Sequence, residues 1–308
     1  MSVVNGAIRA NGRGSAWVSS RRGAPGAGIA KRGRLELQNV SKIFQGTTVR
    51  AVSDITLTCQ SGEFVVVVGP SGCGKSTLLN ICAGMLKADS GVVKLDGRET
   101  DGPGPDRAVV FQDHGLFAWL TAAQNIEFGL KMAGMPKSER QDRVQEALRL
   151  VHLSQSGDKL IHELSGGMKQ RIAIARSLVM DPAVLLMDEP FASLDAQTRT
   201  LMHEQLQDLW ITTSKTILFV THSVGEAVRL ADRIIVLHAH PGRIRKDIPV
   251  SLAHPRNFDS PDVSELVHLV RREIEDEVNR VNGQMAEYWK PKAGADLDSG
   301  AVDVGSGI

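Results

Sequence analysis

The sequence has few cysteines, almost no excess of charge and no long apolar run. Its three cysteines, Cys59, Cys73 and Cys82, form neither an even disulfide framework nor a metal-ligand spacing, which favours a reducing compartment. The formal net charge of +1 gives no indication of a nucleic-acid partner. No apolar run approaches the roughly 18–20 residues of a membrane span, so we expect a partner to supply any membrane role. The 308 residues, 42% of them hydrophobic, are enough for one large domain with a buried core.

Both ends of the chain differ in composition from the middle. Residues 1–33 are rich in Gly, Ala, Ser and Arg and contain no acidic residue. Such a segment buries too little apolar surface to order itself, so we predict a disordered basic leader. A transit-peptide-like segment is the alternative, because those are also rich in Arg and Ser. The polar, Gly-rich residues 291–308 predict a disordered tail.

Residues 251–290 form a predicted helical extension. Apolar residues recur on one face of a helix over Pro261–Val281. This face either packs on its own domain, which we favour, or docks a partner.

The middle of the chain alternates short apolar runs with helical patterns. Phe64–Gly69 is a continuous apolar run rich in valine, as expected of a parallel strand that is buried on both faces. Similar runs recur at Ala108–Gln112, Val184–Asp188, Ile217–Thr221 and Arg233–Leu237, and helical patterns include Arg143–Val151 and Thr198–Ile211. This alternation predicts an α/β core with a mainly parallel sheet.

A phosphate-binding loop follows the first of these strands directly. The stretch matches the P-loop pattern and consists of Gly69, Pro70, Ser71, Gly72, Cys73, Gly74, Lys75, Ser76 and Thr77. In such a loop the backbone N–H groups surround a β-phosphate, Lys75 reaches the β/γ oxygens and the Ser76 hydroxyl ligates Mg²⁺. Cys73 contributes only its backbone to phosphate binding, and its thiol has no predicted role. The sequence therefore predicts nucleotide binding.

Polar side chains end three other predicted strands. Asp188 and Glu189 follow Val184–Met187, at the strand end where ligands bind in open α/β sheets. Asp188 is predicted to hold Mg²⁺, and Glu189 to be the general base that orients the attacking water. His222 ends another strand, where a γ-phosphate contact is favoured over a purely structural role. Gln112 is a neutral amide that can ligate Mg²⁺ or water.

A second predicted anion site lies at the start of a helix. Ser165 is a natural N-cap, and Gly166 and Gly167 carry no Cβ that would cover the first N–H groups. Met168, Ile172, Ala175 and Val179 recur at helical spacing and are expected to hold this helix against a core. An uncovered helix N-terminus binds anions. The chain thus carries two half-sites for one anionic ligand.

Taken together, these motifs resemble the ATP-binding subunit of ABC transporters over roughly Leu35 to Ile248. The resemblance places Lys75 and Ser76 in the Walker A loop, Gln112 in the Q-loop and Ser165-Gly166-Gly167 in the signature. It also places Asp188-Glu189 in Walker B, Asp195 in the D-loop and His222 as the switch histidine, with Phe44 stacking on adenine. The implied fold is a P-loop NTPase core with an N-terminal antiparallel β subdomain and a helical signature subdomain at about 113–180.

The family resemblance also implies partners and a location. Two copies, or one copy and a paralogue, would meet head to tail and sandwich ATP between one P-loop and the other subunit's Ser165 and Gly167. The stretches 102–107, 117–121 and 240–244 resemble the nitrate/sulfonate/taurine branch of ABC importers. That branch implies a separate permease, an extracytoplasmic solute-binding protein that acts indirectly, and a peripheral position on the cytoplasmic face of the inner membrane.

Other functions within the same superfamily fit less well. A DNA-maintenance ATPase would separate the P-loop from the signature by a long coiled coil, and no sustained heptads lie between Lys75 and Ser165. A translation-linked protein would carry two cassettes, and an exporter would usually have fused membrane helices. A non-hydrolysing regulatory cassette is disfavoured because Lys75, Glu189 and His222 are all present. ATP hydrolysis coupled to import is therefore the leading hypothesis, and the non-transport ATPase is the alternative.

Overall fold

The computed structural model describes residues 32–46, 48–254, 256 and 260–288. The predicted tail and residues 1–31 of the predicted leader lie outside this part of the chain. Gly33, assigned to the leader from composition, belongs to the domain: it is buried, and its N–H donates to Asp96 Oδ1 at 2.8 Å. Within the described residues, no helix combines the length and the apolar composition that crossing a membrane requires.

Ten strands and seven α-helices make up the described part of the chain. The strands are β1 Leu35–Ile43, β2 Arg50–Cys59, β3 Phe64–Val68, β4 Ser90–Leu95, β5 Arg98–Glu99, β6 Arg107–Val110, β7 Val184–Asp188, β8 Thr216–Thr221, β9 Arg233–Leu237 and β10 Ile244–Pro249. The helices are α1 Lys75–Cys82, α2 Ala122–Met132, α3 Lys137–Leu150, α4 Gly166–Leu178, α5 Ala196–Thr213, α6 Val224–Leu230 and α7 Pro261–Tyr288, and a 3₁₀ turn covers Ile161–Glu163.

The central sheet has six strands in the order β10-β9-β3-β8-β7-β6. All neighbours pair in parallel except β10, which runs antiparallel to β9 at the edge. Every residue of β3 is buried, as its continuous apolar run predicts. The register pairs Val68 with Thr221 and Asp188 with Val220, so the strands that carry the predicted polar residues end side by side.

Two smaller units flank this sheet. The antiparallel sheet has the order β2-β1-β4-β5. Its buried side chains form one hydrophobic core with the side chains on one face of the parallel sheet. Helices α2, α3 and α4 enclose a separate apolar core that includes Ile126, Leu148 and Ile172. Ala175 of α4 and its C-cap residue Val179 are fully buried in this core and Met168 packs against it, which confirms the predicted apolar face. The predicted architecture is thus confirmed.

Several element boundaries differ from the predicted ones. Helix α1 begins at Lys75 rather than Thr77, because Gly74 adopts a left-handed conformation and its carbonyl already accepts from the N–H of Leu78. Helix α3 begins at Lys137, ahead of the predicted Arg143, directly after Pro136. Between the P-loop and Ser165, helices α2 and α3 span only 11 and 14 residues, so this described segment contains no long coiled coil.

Helix α7 lies against its own domain. Val263 and Val270 are buried in the core cluster beneath the parallel sheet, and Leu266, Val267 and Ile274 pack against the same cluster. The apolar face therefore has an intramolecular partner. This supports the first of the two alternatives for the C-terminal extension.

Candidate functional site

The loop between β3 and α1 requires glycine at two positions. Gly72 and Gly74 have φ angles of 78° and 94°, a region that side chains rarely adopt. At Gly74 the surroundings also leave no room, since a Cβ would lie 2.5 Å from the carbonyl oxygen of Ala51. A Cβ at Gly72 would meet nothing within 4 Å. Gly74 thus lets the loop pack directly against β2.

Lys75 folds back across this loop. Its side chain is nearly buried, with the residue only 6% exposed, and its ammonium donates to the carbonyl oxygens of Gly69 at 2.9 Å and Pro70 at 3.0 Å. Burying a cation against two neutral carbonyls leaves most of its charge uncompensated. An anionic ligand within reach of Nζ would supply the missing charge.

The loop borders a cavity of about 350 Å³. Its lining residues are Phe44, Ala51, Ser71, Gly72, Gly74, Lys75, Ser76, Thr77 and Glu189. All of these except Ala51 are predicted site residues. Phe44 is the aromatic candidate for adenine, and 43% of it is exposed. Gly69, Pro70 and Cys73 belong to the loop without lining the cavity, and burial raises the pKa of the Cys73 thiol.

Oxygen ligands suited to Mg²⁺ meet beside this cavity. The Ser76 hydroxyl donates to Asp188 Oδ1 at 3.1 Å. Burial raises the pKa of Asp188 and the neighbouring Glu189 raises it further, whereas the Ser76 hydrogen bond lowers it. A divalent cation would stabilise the ionised form, and a hydroxyl with a carboxylate is a typical part of an Mg²⁺ ligand set. Gln112 is exposed just beyond β6, at the same edge of the sheet.

Glu189 and His222 form a pair at the ends of β7 and β8. Glu189 has a φ of 43°, and its N–H donates to the Val220 carbonyl at 2.9 Å. This unusual backbone conformation for a non-glycine residue is typical of functional sites. The Glu189 carboxylate lies 2.8 Å from Nδ1 of His222, whose side chain is 60% exposed. A carboxylate held this way beside the cavity is placed to accept a proton.

A buried network behind His222 has no counterpart in the sequence analysis. The Thr221 hydroxyl donates to Glu226 Oε2 at 2.5 Å, and His203 Nε2 lies 3.3 Å from the other carboxylate oxygen. Thr221 Oγ1 also accepts from the N–H of Ser223 at 3.0 Å, so the chain is fixed on both sides of His222. Burial alone would raise the pKa of Glu226, but the hydrogen bonds from His203 and Thr221 lower it overall.

The predicted signature segment, Ser165–Gly167, begins helix α4. Ser165 is the N-cap, and its hydroxyl accepts from the N–H of Met168 at 3.3 Å. Ser165 and Gly166 are exposed, whereas Gly167 is buried beneath Thr198, whose Cγ2 lies 2.6 Å from the position of a Cβ. None of the three is among the residues that line the P-loop cavity. The two predicted half-sites are therefore not brought together within one chain.

Asp195 has a structural role in the described chain. It is the N-cap of α5, and its Oδ1 accepts from the N–H of Thr198 at 2.9 Å. This backbone hydrogen bond is the main reason why the pKa of Asp195 is lowered. Arg199, one turn into the same helix, donates to the carbonyls of Phe191 and Leu194. The predicted contact of Asp195 with nucleotide stays a prediction.

Helix α4 is tied to the segment that follows Gln112. Gln170, fully buried, has its Oε1 2.5 Å from Nδ1 of His114. Arg176 donates to the carbonyls of Gly115 at 2.6 Å and His114 at 3.0 Å, and its guanidinium lies 5.7 Å from the centre of the Phe117 ring. The sequence carries no local signal for these contacts, because they join positions more than fifty residues apart.

Comparison with known proteins gives a consistent set of relatives. A family model described as "ABC transporter" matches residues 52–192. The taurine import ATP-binding protein of Pelagibacter ubique is 47% identical over 219 residues, covering 70% of this chain and 83% of that protein. The nitrate import ATP-binding protein of Synechocystis sp. is 46% identical over 229 residues, covering 74% and 85%. A solved dimeric ATP-binding cassette, bound to ADP and Pi after hydrolysis, superposes with a TM-score of 0.63 at 32% identity, covering 71% of this chain and 100% of that one.

Proposed function

This chain belongs to the ABC transporter family of ATP-binding proteins, and on that premise we propose that it hydrolyses ATP to drive an importer of a small anion or sulfonate. Taurine and nitrate are the solutes that the names of the similar proteins give, and we extend the proposal to alkanesulfonates as the same chemical class as taurine. The observation that carries the proposal is the pair Glu189–His222 at 2.8 Å, beside a cavity that also holds Lys75 and Ser76. Catalysis and phosphate binding therefore share one edge of the sheet.

Each residue of this edge has a proposed task in hydrolysis. Lys75 and the loop N–H groups bind the phosphates, and Phe44 stacks on the adenine. The Glu189 carboxylate takes the proton of the attacking water, and His222 contacts the γ-phosphate while orienting Glu189. Ser76, Asp188 and Gln112 would hold Mg²⁺, which when bound supplies charge stabilisation for the phosphate oxygens.

The signature segment supports a dimer as the active unit. Ser165 and Gly166 are exposed and lie outside the cavity of their own chain. A helix N-terminus binds anions, so we propose that Ser165 and Gly167 contact ATP in the P-loop of a second copy or a paralogue. The related cassette is itself described as dimeric.

An aromatic cluster next to Gln112 is the proposed contact with the permease. Phe117 packs against Trp119 and Phe128, with ring centres 5.5 and 4.6 Å apart. Trp119 is nevertheless 75% exposed, more than any other large apolar residue of the described chain. Arg176 connects this cluster to α4, so the proposed permease contact is linked directly to the helix that begins with the signature segment.

Two further parts of the proposal follow from the permease contact. The chain would sit peripherally on the cytoplasmic face of the inner membrane, and an extracytoplasmic solute-binding protein would act on it only through the permease.

Replacing Trp119 tests the permease contact. We expect Trp119→Ser to abolish co-purification with the co-expressed permease partner, because the exposed apolar area is lost. Ile211→Ser is the matched control: Ile211 is 54% exposed on α5, away from the cluster. Equal co-purification of the two variants would contradict the assignment.

Transport coupling is tested in the reconstituted complex. ATPase activity with permease and binding protein in vesicles should rise on addition of taurine, an alkanesulfonate or nitrate, and Lys75→Ala should abolish it. Stimulation by DNA with no response to any of these solutes would overturn the proposal in favour of a DNA-maintenance ATPase.

A further inference from the structure

A buried carboxylate connects the C-terminal helix to the central sheet. Glu277 of α7 is fully buried, and its two oxygens accept separate hydrogen bonds. Oε1 accepts from the N–H of Ala239 at 2.8 Å, and Oε2 lies 2.6 Å from Nδ1 of His238. An ionised Glu277 only accepts hydrogen bonds, so its contact with His238 requires the tautomer with the proton on Nδ1. The Arg245 guanidinium on β10 also donates to Oε2 at 3.5 Å, so this buried carboxylate has hydrogen bonds to both oxygens and a cationic partner.

The residues that Glu277 holds begin the loop between β9 and β10, residues 238–243, which we call the backing loop. The N–H of His238 donates to the Arg243 carbonyl at 2.8 Å, and this hydrogen bond joins the two ends of the loop. Glu277 therefore anchors the whole loop at its first two residues.

The backing loop lies directly against the P-loop. At Gly242 a Cβ would come within 2.3 Å of the Cys73 carbonyl oxygen and 2.7 Å of that of Ala51. Gly242 also donates its N–H to Ala51 at 3.2 Å and accepts from the N–H of Ser53 at 2.8 Å. Ala51 lines the nucleotide cavity, so one glycine touches both the P-loop and the cavity wall.

We propose that Glu277 is a positioning residue for the ATP site. Its carboxylate fixes the backing loop, and the backing loop fixes the backbone of Cys73 and Ala51 around the phosphates. This assigns the C-terminal helix a part in nucleotide affinity, and it rests on the nucleotide site of the proposed function.

Helix α7 provides a matched control one turn earlier. Glu273 forms ion pairs with Arg245 at 3.0 Å and with Lys246 at 2.5 Å. Both partners are on β10, outside the backing loop. Val263 and Val270 hold the same helix by apolar packing. Arg245 is also a partner of Glu277, at 3.5 Å, but Glu273→Gln leaves the bonds from Glu277 to His238 and Ala239 in place while it weakens the attachment of α7.

The experiment measures the Kd of ATP by calorimetry in the presence of Mg²⁺, and KM and kcat for hydrolysis, on the full chain. Glu277→Ala should weaken binding and raise KM about tenfold while kcat stays within about twofold, because bonds to a buried charge are lost and the phosphate loop shifts. Glu273→Gln should change Kd by less than about twofold, because the partners of Glu273, Arg245 and Lys246, lie on β10 and not in the backing loop.

The conservative variant tests positioning against simple stability. In Glu277→Gln the amide oxygen can accept from Ala239, and the amide N–H can donate to the other tautomer of His238, so affinity should return to within about threefold of the wild type. Wild-type affinity in Glu277→Ala, or equal losses in Glu277→Ala and Glu273→Gln, would overturn the proposal.

Two further variants separate the ways this experiment can fail. If circular dichroism shows that Glu277→Ala does not fold, His238→Ala decides, since it removes the bond between Glu277 Oε2 and the backing loop: weaker binding supports the proposal and unchanged binding overturns it. Lys75→Ala tests the nucleotide site itself. If Lys75→Ala still binds ATP, the proposed function is wrong. If Lys75→Ala loses ATP binding while Glu277→Ala binds ATP normally, only the role of Glu277 is wrong.

Discussion

Thr221→Val is the substitution that best tests the buried network behind His222. Valine has nearly the same shape as threonine and the same preference for β-strands, so it fills the space at the end of β8 without opening a cavity. The change removes only the hydroxyl. Thr221 is 1% exposed, so water cannot replace the lost bonds.

The expected loss of stability follows from the two bonds of this hydroxyl. The bond donated to Glu226 involves a charged acceptor and contributes about 1.5–3 kcal/mol, and the neutral bond from the Ser223 N–H adds about 0.5–1.5 kcal/mol. Their sum predicts that the free energy of unfolding falls by about 2–4.5 kcal/mol. Because both bonds hold the chain beside His222, we also expect kcat to fall about tenfold with little change in KM.

Urea unfolding followed by far-ultraviolet circular dichroism measures the stability change, and steady-state hydrolysis measures the kinetic change. Thr212→Val is the matched control, because the Thr212 hydroxyl donates to the Asp208 carbonyl at 2.7 Å on an exposed face of α5. That variant should lie within about 0.5 kcal/mol of the wild type. If Thr221→Val shifted the urea midpoint no more than Thr212→Val, the reasoning about the network would be refuted.

Three other predictions concern the same site. In Gly74→Ala the Cβ would lie 2.5 Å from the Ala51 oxygen, whereas Gly72→Ala has only the strain of a positive φ. Without nucleotide, the free energy of unfolding of Gly74→Ala should therefore be lower than that of Gly72→Ala by at least about 2 kcal/mol. Equal urea midpoints would show that the loop adapts. Glu189→Gln should bind ATP within about threefold of the wild type and hydrolyse it about 10²–10⁴-fold more slowly, and unimpaired single-turnover hydrolysis would exclude a general base. The lowered pKa of Glu226 stabilises the fold fully above its ordinary value of 4.5, and this contribution is lost as the pH falls through the folded-state pKa. The urea midpoint should therefore depend less steeply on pH below 4.5 in Glu226→Gln.

The parts of the site that sequence patterns predicted are those that depend on neighbouring residues. Gly74 ends a loop whose backbone conformation demands glycine, Lys75 and Ser76 follow it directly at the start of α1, and Asp188 and Glu189 come at the end of a buried strand. Ser165 was recognisable as an N-cap because capping involves only residues within one turn. Each of these features depends on the conformation and side chains of residues that are close together in the chain.

The residues that were missed act across long stretches of chain. Glu226 pairs with His203, 23 residues away, and Glu277 with Ala239, 38 residues away. Either glutamate resembles an ordinary helix-surface residue in the sequence. Ala51 is similarly unremarkable until its carbonyl is found against Gly74.

By itself, the sequence predicted which groups we propose to bind phosphate and which carboxylate we propose to accept a proton, and it determined which strands are buried on both faces. Those properties follow from side-chain type, backbone angle and periodicity, all of which are local. Only the tertiary structure decided that β7 and β8 end side by side and bring Glu189 to His222. It also decided that Ser165 lies outside its own chain's cavity, and that Glu277 of the C-terminal helix bonds the loop that lies against the P-loop. Such contacts depend on the order of strands in the sheet and on packing between distant segments, which no short stretch of residues encodes.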